Sequence, residues 1–86
     1  MYTVTWTQEA LDDLGSCWLR ANSKTRQQIT DAMALLDRHL RANAPRLGES
    51  READHRVMFV EPIGVEFHVS ELDRLATVIH AWTFRT

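Results

Sequence analysis

The amino-acid sequence predicts an α+β fold with the element order β-α-α-β-β-β. Residues 8–41 place apolar side chains at helical spacing in two blocks, whereas residues 2–6 and 55–82 carry the apolar patterns of strands. Because the helices form one block and most strands another, the pattern is typical of the α+β class. A chain of 86 residues is expected to form one domain, spanning residues 1–86.

The chain is predicted to open with a strand and a helix. Tyr2, Val4 and Trp6 alternate with threonines, which indicates a half-buried strand. Thr7 is a suitable N-cap, and the helix after it carries the apolar stripe Ala10, Leu11, Leu14, Trp18 and Leu19. Cys17 lies in this helix, where a small packed residue is a commoner role than a nucleophile. As the single cysteine it allows no internal disulfide bond, which fits a reducing compartment.

The second predicted helix starts after a short break and ends in a long loop. Ser23 is the expected cap, and the helix runs to about Arg41 with the apolar stripe Ile29, Ala32, Met33, Leu36 and Leu40. The link "ANS" is so short that the two helices must form an antiparallel hairpin. Asn43 suits the left-handed position at the helix end, and Pro45 prevents continuation. The segment "NAPRLGESREAD" has no periodicity and is expected to be a surface loop.

Three strands are predicted in the second half of the chain. The first covers about residues 55–60, and Pro62 and Gly64 make the turn after it. In the next strand, one face carries Val65, Phe67 and Val69 and the other carries Glu66, His68 and Ser70. "ELDR" is the following turn. The last strand, about residues 75–82, is apolar on both sides, as expected for a central strand.

The histidines of this region are the first candidates for chemistry. A turn centred on "ELDR" pairs residues whose numbers sum to 145 or 146, so that His80 lies opposite Val65 or Glu66 and His68 opposite Thr77 or Val78. His68 and His80 are then too far apart to form an acid–base pair. No cysteine or carboxylate stands at metal-ligand spacing, and no glycine-rich phosphate loop occurs, so neither a metal nor a cofactor is expected. A hydrogen-bonded or surface role is the ordinary expectation for both histidines.

The charge is unevenly distributed. The net charge is −2, but residues 20–56 carry eight basic and five acidic groups. This modestly basic zone suits phosphates or an acidic protein segment, and the alternative is an ordinary solvated helix face. A dedicated nucleic-acid binder is usually far more basic. No apolar run approaches the roughly 18 residues of a membrane span, and the N-terminus lacks a secretion signal. A cytoplasmic location without membrane partners is therefore expected.

The whole chain resembles the RelE/ParE superfamily of small bacterial toxins from type II toxin–antitoxin modules, which includes plasmid stabilisation proteins. The resemblance rests on "YTVTWTQEALDDL", "TRQQITDAMALLDRHL", "NAPRLG" and "VEFHVSELDRLATVIHAW", in this order across all 86 residues. It implies a twisted antiparallel sheet packed against an N-terminal helical hairpin. It also implies a partner, an antitoxin whose C-terminal segment wraps the toxin. Toxins of the RelE type cut messenger RNA on the ribosome, and those of the ParE type poison DNA gyrase.

The resemblance also implies where an RNA-cutting site would lie. Two lysines of the RNA-cutting members correspond to Arg56 and Met58 here, an arginine corresponds to Gly64, and a basic residue after the last strand matches Arg85. A tyrosine further on has no counterpart in a sequence that stops at Thr86. Two of the five positions thus remain basic. Arg56 and Arg85 can supply positive charge for a phosphorane, and His68 can transfer a proton, which makes these three the candidate catalytic residues.

Three hypotheses follow. The first is a toxin that acts by binding a cellular target, nearer to ParE than to RelE and of the gyrase class. The second is a ribosome-dependent endoribonuclease with a degenerate site of Arg56, His68 and Arg85, and the third is an inactive interaction module. In each, an antitoxin segment with acidic side chains would meet Arg38, Arg41 and Arg56. The sequence leaves open whether the chain is an enzyme and whether it is a monomer or a dimer before it joins an antitoxin.

Overall fold

The computed structural model describes residues 1–52 and 54–84, and these form two helices packed on a five-stranded sheet. The elements are β1 (Thr3–Trp6), α1 (Gln8–Arg20), α2 (Ser23–Asn43), a 3₁₀ turn (Ala44–Arg46), β2 (Glu49–Ser50), β3 (His55–Val60), β4 (Ile63–Ser70) and β5 (Leu75–Thr83). The predicted α+β class is confirmed, as is the order of its main elements. The added strand β2 has two residues and lies in the predicted loop.

The sheet has the strand order β1-β5-β4-β3-β2 and is mixed rather than wholly antiparallel. Neighbours pair antiparallel from β2 to β5, whereas β1 pairs parallel with β5. The expectation of an antiparallel sheet is therefore wrong at β1. Parallel strands need a long crossover connection, and the two helices provide it, whereas tight turns join β3, β4 and β5. β5 lies between β1 and β4, which confirms the central strand and accounts for its apolar residues on both faces.

The core lies between α2 and one face of the sheet. α2 buries Ile29, Ala32, Leu36 and Leu40, and the strands bury Ile63, Val65, Phe67, Val69, Ala76, Val78 and Ala81 against it. The predicted apolar stripe of α2 is thus confirmed, with Met33 half-buried at its margin. The predicted faces of β4 are also confirmed, since Val65, Phe67 and Val69 are buried and Glu66, His68 and Ser70 are partly exposed. A strand that packs against a helix on one face buries every second residue.

α1 packs differently from its prediction. The cap is as expected, since the Thr7 hydroxyl accepts a hydrogen bond from the Ala10 amide. The buried side chains, however, are Ala10 and Cys17, whereas three members of the predicted stripe are exposed: Leu11, Trp18 and Leu19. β1 ends at Trp6, opposite Val78, while β5 continues to Thr83, and α1 follows the edge of β5 that β1 leaves open. A helix against a strand edge buries a narrow stripe, which explains why Cys17 is buried. Trp18 is 40% exposed and contacts the guanidinium of Arg26, which lies 5.6 Å from its ring centroid.

Both ends of α2 differ in detail from the sequence expectation. The cap is Asn22, whose Oδ1 accepts a hydrogen bond from the Thr25 amide 2.8 Å away, rather than Ser23. At the other end Asn43 has φ −144°, so it does not take the left-handed position. That conformation occurs at Gly48, with φ +66°, where a Cβ atom would lie 2.1 Å from the Val57 carbonyl oxygen. Gly48 therefore lets the chain turn into β2 close against β3.

The two hairpins set the register of the candidate site. In the β4–β5 hairpin His68 faces Thr77 and His80 faces Glu66, both among the predicted pairs. The residue numbers of a pair sum to 145 on one side of a bulge at Ile79 and to 146 on the other. In the β3–β4 hairpin the turn consists of Glu61 and Pro62. Gly64 lies within β4, not in the turn as predicted.

Candidate functional site

The face of the sheet that the helices leave uncovered collects most of the polar strand residues. We call it the helix-free face. Its cross-strand rows are Thr77, His68 and His55; His80, Glu66 and Val57; and Trp82, Gly64 and Phe59. Each of these residues alternates along its strand with residues on the core side. The rows bring together one group of histidines and carboxylates and one group of aromatic rings.

Two histidines meet on this face. His55 and His68 are directly opposite across β3 and β4, with ring centroids 5.5 Å apart in an edge-to-face arrangement. Nδ1 of His55 lies 3.4 Å from Oε2 of Glu66, and Nε2 of His68 lies 3.7 Å from Oδ2 of Asp54. Both imidazoles are partly exposed. Two imidazoles side by side, each with its own carboxylate, can accept and donate protons at neighbouring points on a bound molecule.

His55 was not among the residues that sequence reasoning selected. The signal was present, because a turn formed by Glu61 and Pro62 alone pairs residues whose numbers sum to 123, and so pairs His55 with His68. The expectation that Gly64 belongs to the turn implies a different register, in which His55 and His68 are not paired. His80 was correctly separated from His68, and it lies near α1 instead, with Nδ1 3.5 Å from Oε1 of Glu9 and 3.7 Å from Oδ2 of Asp13.

Arg56 belongs to the other side of the sheet. It faces Phe67 across β3 and β4, and thus alternates with His55. Its guanidinium donates hydrogen bonds to the carbonyl oxygens of Leu47 and Gly48. Arg56 therefore ties the chain before β2 to β3 and does not share a face with His68.

The candidate catalytic set is only partly visible in the structure. Arg85 lies outside the described residues, and Arg56 and His68 are on opposite faces, so the assignment of these three residues stays a prediction. Within β3, β4 and β5 as described, Arg56 is the single lysine or arginine. The helix-free face of these strands consequently carries no permanent cation.

The two remaining positions of the resemblance are apolar for structural reasons. Met58 packs against the core. Gly64 lies beneath the indole of Trp82, and a Cβ atom there would be 2.5 Å from Cε2 of that ring. Trp82 also belongs to an aromatic cluster with Phe59 and Phe84, at centroid distances of 6.0 Å from Trp82 to Phe59 and 5.1 Å from Phe59 to Phe84. The place of the expected arginine is thus occupied by an aromatic side chain.

The basic residues proposed for partner binding lie mainly on α2. Arg38 and Arg41 are both exposed. Nε of Arg41 lies 2.8 Å from Oδ2 of Asp37, one turn earlier, whereas Arg38 forms no ion pair within residues 1–52 and 54–84. Arg56 is held by loop carbonyls. Of these three arginines, Arg38 makes the fewest hydrogen bonds and ion pairs with the described part of the chain.

The described residues lack both a metal-binding cluster and a helix that could span a membrane. Residues 1–52 and 54–84 contain no group of three or more histidine, cysteine, aspartate or glutamate side chains placed to hold a metal ion. Over the same part of the chain, neither helix combines the length and apolar character that crossing a membrane requires.

Comparison with known proteins identifies the fold. No protein-family model and no curated protein matches the sequence. Among solved structures, a chain of the chromosomal ParDE toxin–antitoxin system from P. aeruginosa aligns with a TM-score of 0.72 at 16% identity, covering 99% of this chain and 98% of that one. The fold is that of the RelE/ParE toxins.

Other toxin–antitoxin structures agree with this RelE/ParE fold. The RelBE2 toxin–antitoxin complex from Mycobacterium tuberculosis aligns at a TM-score of 0.71 and 14% identity, covering 95% of this chain and 90% of that one. The isolated E. coli RelE toxin aligns at 0.58 and 15% identity, covering 100% and 87%. The expected superfamily resemblance is confirmed at the level of fold. The ParDE and RelBE2 scores are nearly equal, so they do not separate the two kinds of toxin.

Proposed function

We propose that this protein is the toxin of a toxin–antitoxin pair, that it acts by binding a cellular protein of the DNA gyrase class, and that a cognate antitoxin neutralises it. The RelE/ParE fold supports the toxin part. The position of Arg56 supports the binding mechanism. RNA cleavage develops negative charge on the phosphorane, and fixed cations are the usual means of stabilising it.

Arg56 is turned to the core side and bonded to two carbonyl oxygens, so it is not available to a phosphate on the helix-free face. The aromatic cluster of Phe59, Trp82 and Phe84 stands where the resemblance expects a cationic group. Phe59 is 52% exposed, and an exposed aromatic side chain in a packed cluster is a common anchor of protein interfaces. This end of the face is better suited to a protein than to a phosphate.

The proposal is tested with the purified chain and DNA gyrase. We expect the chain to inhibit supercoiling, and Phe59→Ala to weaken the inhibition by about tenfold or more, as loss of an aromatic anchor does at other interfaces. Leu72→Ala is the matched control, because Leu72 is also exposed but lies in the β4–β5 turn. Absence of any effect on gyrase, together with absence of binding to it, would contradict the proposed target.

The histidine pair favours a second candidate, cleavage of RNA by acid–base catalysis. One neutral imidazole would take the proton of a 2′-hydroxyl while the 2′-oxygen forms a bond to phosphorus. The other imidazole, protonated, would give its proton to the departing 5′-oxygen as the P–O5′ bond breaks. The products would be a 2′,3′-cyclic phosphate and a 5′-hydroxyl. The observation behind it is the 5.5 Å spacing of His55 and His68, with Glu66 and Asp54 beside them.

Substitutions of the histidines separate the two candidates. If the chain cuts ribosome-bound messenger RNA, His55→Ala and His68→Ala should each lower the cutting rate by about a hundredfold or more, the usual contribution of a general acid or base. His80→Ala, on the same face but beside α1, should leave the rate unchanged. Absence of cutting by the wild-type chain in the presence of ribosomes would remove this candidate.

A further inference from the structure

The helix-free face carries carboxylates, and none of its described strand residues is a lysine or an arginine. Within β1 to β5, Arg56 is the single lysine or arginine, and it lies on the core side. Arg51, in the loop after β2, lies 3.8 Å from Glu49 and offsets that one carboxylate. The carboxylates on or beside the face are those of Glu9, Asp13, Glu49, Asp54 and Glu66.

Glu66 keeps its negative charge although an imidazole lies beside it. Its Oε2 is 3.4 Å from Nδ1 of His55, and no lysine or arginine pairs with it among residues 1–52 and 54–84. A neutral imidazole donates one hydrogen bond to one oxygen and contributes no positive charge. The side chain of Glu66 is 28% exposed, the lowest value among the five carboxylates, so water screens its charge least. Glu66 is therefore the carboxylate of this face that gains most from a bound cation.

The aromatic cluster lies next to Glu66. Gly64, two residues earlier on the same face of β4, lies beneath the indole of Trp82. Residues i and i+2 of a strand are only about 7 Å apart, so the indole and the carboxylate lie within reach of one bound side chain. The ring of Phe59 stands at 77° to the rings of Trp82 and Phe84. An angular apolar surface thus adjoins a partly buried negative charge.

We propose that the target protein presents an arginine side chain to this site, with its guanidinium on the aromatic rings and its charge directed to Glu66. Arginine suits both parts, because its planar guanidinium stacks on aromatic rings and donates paired hydrogen bonds to a carboxylate. A lysine ammonium lacks the plane and is more strongly hydrated. The inference rests on the proposed binding function and specifies the partner: a basic segment with apolar side chains beside its arginine.

Charge complementarity selects the target protein over the antitoxin and over RNA as the occupant. An acidic antitoxin segment matches the exposed Arg38 and Arg41 of α2, and the carboxylates of the helix-free face would repel it. They would repel the phosphates of RNA in the same way. The two surfaces therefore suit partners of opposite charge, with α2 taking an acidic segment and the helix-free face a basic one.

Titration with a short peptide tests the arginine site without any target protein. The probe is N-acetyl-Leu-Arg-Leu-amide, and the matched peptide carries citrulline, an uncharged analogue of similar shape, in place of arginine. In NMR spectra of the isotope-labelled chain, the arginine peptide should shift the indole N–H resonance of Trp82. It should bind about fivefold or more tightly than the citrulline peptide. The indoles of Trp6, on the core side of β1, and Trp18, on α1, should not respond.

The same titration can overturn the proposal. Equal binding of the two peptides would mean that the site does not select positive charge. Equal shifts of all three indole resonances would mean that the peptide does not choose the aromatic cluster. A short single-stranded RNA that shifts the Trp82 resonance when the arginine peptide does not would assign the face to a nucleic acid instead.

Substitution of Glu66 tests the site in the complex with DNA gyrase. Glu66→Gln keeps the shape and removes the charge, and should weaken binding of the arginine peptide and of gyrase, the latter by about tenfold or more. Asp31→Asn makes the same charge change on the exposed side of α2, where Asp31 accepts a hydrogen bond from Gln27, and should leave both unchanged.

The results separate this inference from the proposed target. If the chain inhibits gyrase and Glu66→Gln inhibits it equally well, the arginine site is wrong and the target stands. If the arginine peptide binds as expected but gyrase does not bind, the target is wrong and the site stands. If Glu66→Gln weakens binding of the antitoxin and not of gyrase, the face belongs to the antitoxin and the proposal is overturned.

Discussion

At the scale of single residues, the environment of a side chain decides roles that residue type alone leaves open. Arg56 was selected as a cation for catalysis and for partner binding, and its guanidinium is bonded to the carbonyl oxygens of Leu47 and Gly48. His68 was placed on its correct face by alternation along β4, but its neighbour His55 depends on the register of a second hairpin. The facing of a strand residue can thus be predicted locally, whereas its cross-strand partner requires the exact turn.

A first prediction concerns the role of Arg56. Arg56→Met should lower the free energy of unfolding by about 1–3 kcal/mol, because two loop carbonyl oxygens, one of them in a partly buried hydrogen bond, lose a charged donor. Urea denaturation measures this loss. Arg38→Met is the matched control, an exposed arginine without an ion pair among the described residues, and should change stability by less than about 0.5 kcal/mol. If Arg56→Met is as stable as the wild type but abolishes toxicity, Arg56 acts in function and our structural assignment is wrong.

A second prediction concerns the two glycines whose surroundings differ most. Gly64→Ala should destabilise the fold by about 1–3 kcal/mol, since its Cβ atom would displace the Trp82 indole from the aromatic cluster. Gly15→Ala should stabilise the monomer by about 0.5–1 kcal/mol, because the new methyl group meets open space in a helix. Thermal unfolding of the two variants at low concentration gives the comparison. If the two variants were equally stable, the position of the Trp82 indole would not depend on the absence of a side chain at Gly64.

At the scale of elements, the sequence predicts the buried face of a helix where that helix packs broadly on the sheet. It does not predict the buried face where the contact is narrow, nor a strand pairing between residues far apart in the sequence. The apolar face of α2 was predicted because the helix lies across the sheet and buries a wide stripe. The face of α1 was not, because α1 lies along the open edge of β5 and its largest apolar side chains point away. The parallel pairing of β1 and the short strand β2 depend on contacts that no local pattern encodes.

A third prediction concerns the attachment of α1 to the sheet. The Asp13 carboxylate accepts a hydrogen bond from the Ala81 amide at 3.2 Å, and so satisfies a donor on the edge of β5. Asp13→Ala should lower the free energy of unfolding by about 1–2 kcal/mol through the orphaned amide. Asp12→Ala, one position earlier on the exposed side, should have less than half this effect. Faster hydrogen exchange at the Ala81 amide in Asp13→Ala would confirm the mechanism, and unchanged exchange there would contradict it.

At the scale of the whole molecule, the uneven distribution of charge between segments bears more on partner binding than the net charge of −2 does. Arg38 and Arg41 lie exposed on α2, away from the carboxylates of the helix-free face. An antitoxin with acidic side chains would be attracted to this part of the surface before it forms its apolar contacts. Charges at the rim of an interface mainly accelerate association and are screened by salt.

A fourth prediction concerns this attraction. Association of the chain with the product of its adjacent gene should slow by about tenfold in Arg38→Glu/Arg41→Glu and at high salt, while the dissociation rate changes little. Surface-based kinetics at low and high salt measure both rates. A double variant of the same charge change at Arg51 and Arg74, outside α2, serves as the control. An association rate indifferent to salt and to the α2 variant would exclude this surface as the steering region.

Mapping messenger RNA 5′ ends after induction of the chain in a bacterial host without antitoxin distinguishes a toxin that binds its target from one that cuts RNA. For a toxin that acts by binding, we expect growth to slow and no new ribosome-dependent, codon-phased ends to appear. Growth arrest with phased cuts that disappear in His55→Ala or His68→Ala would contradict it and establish the nuclease instead.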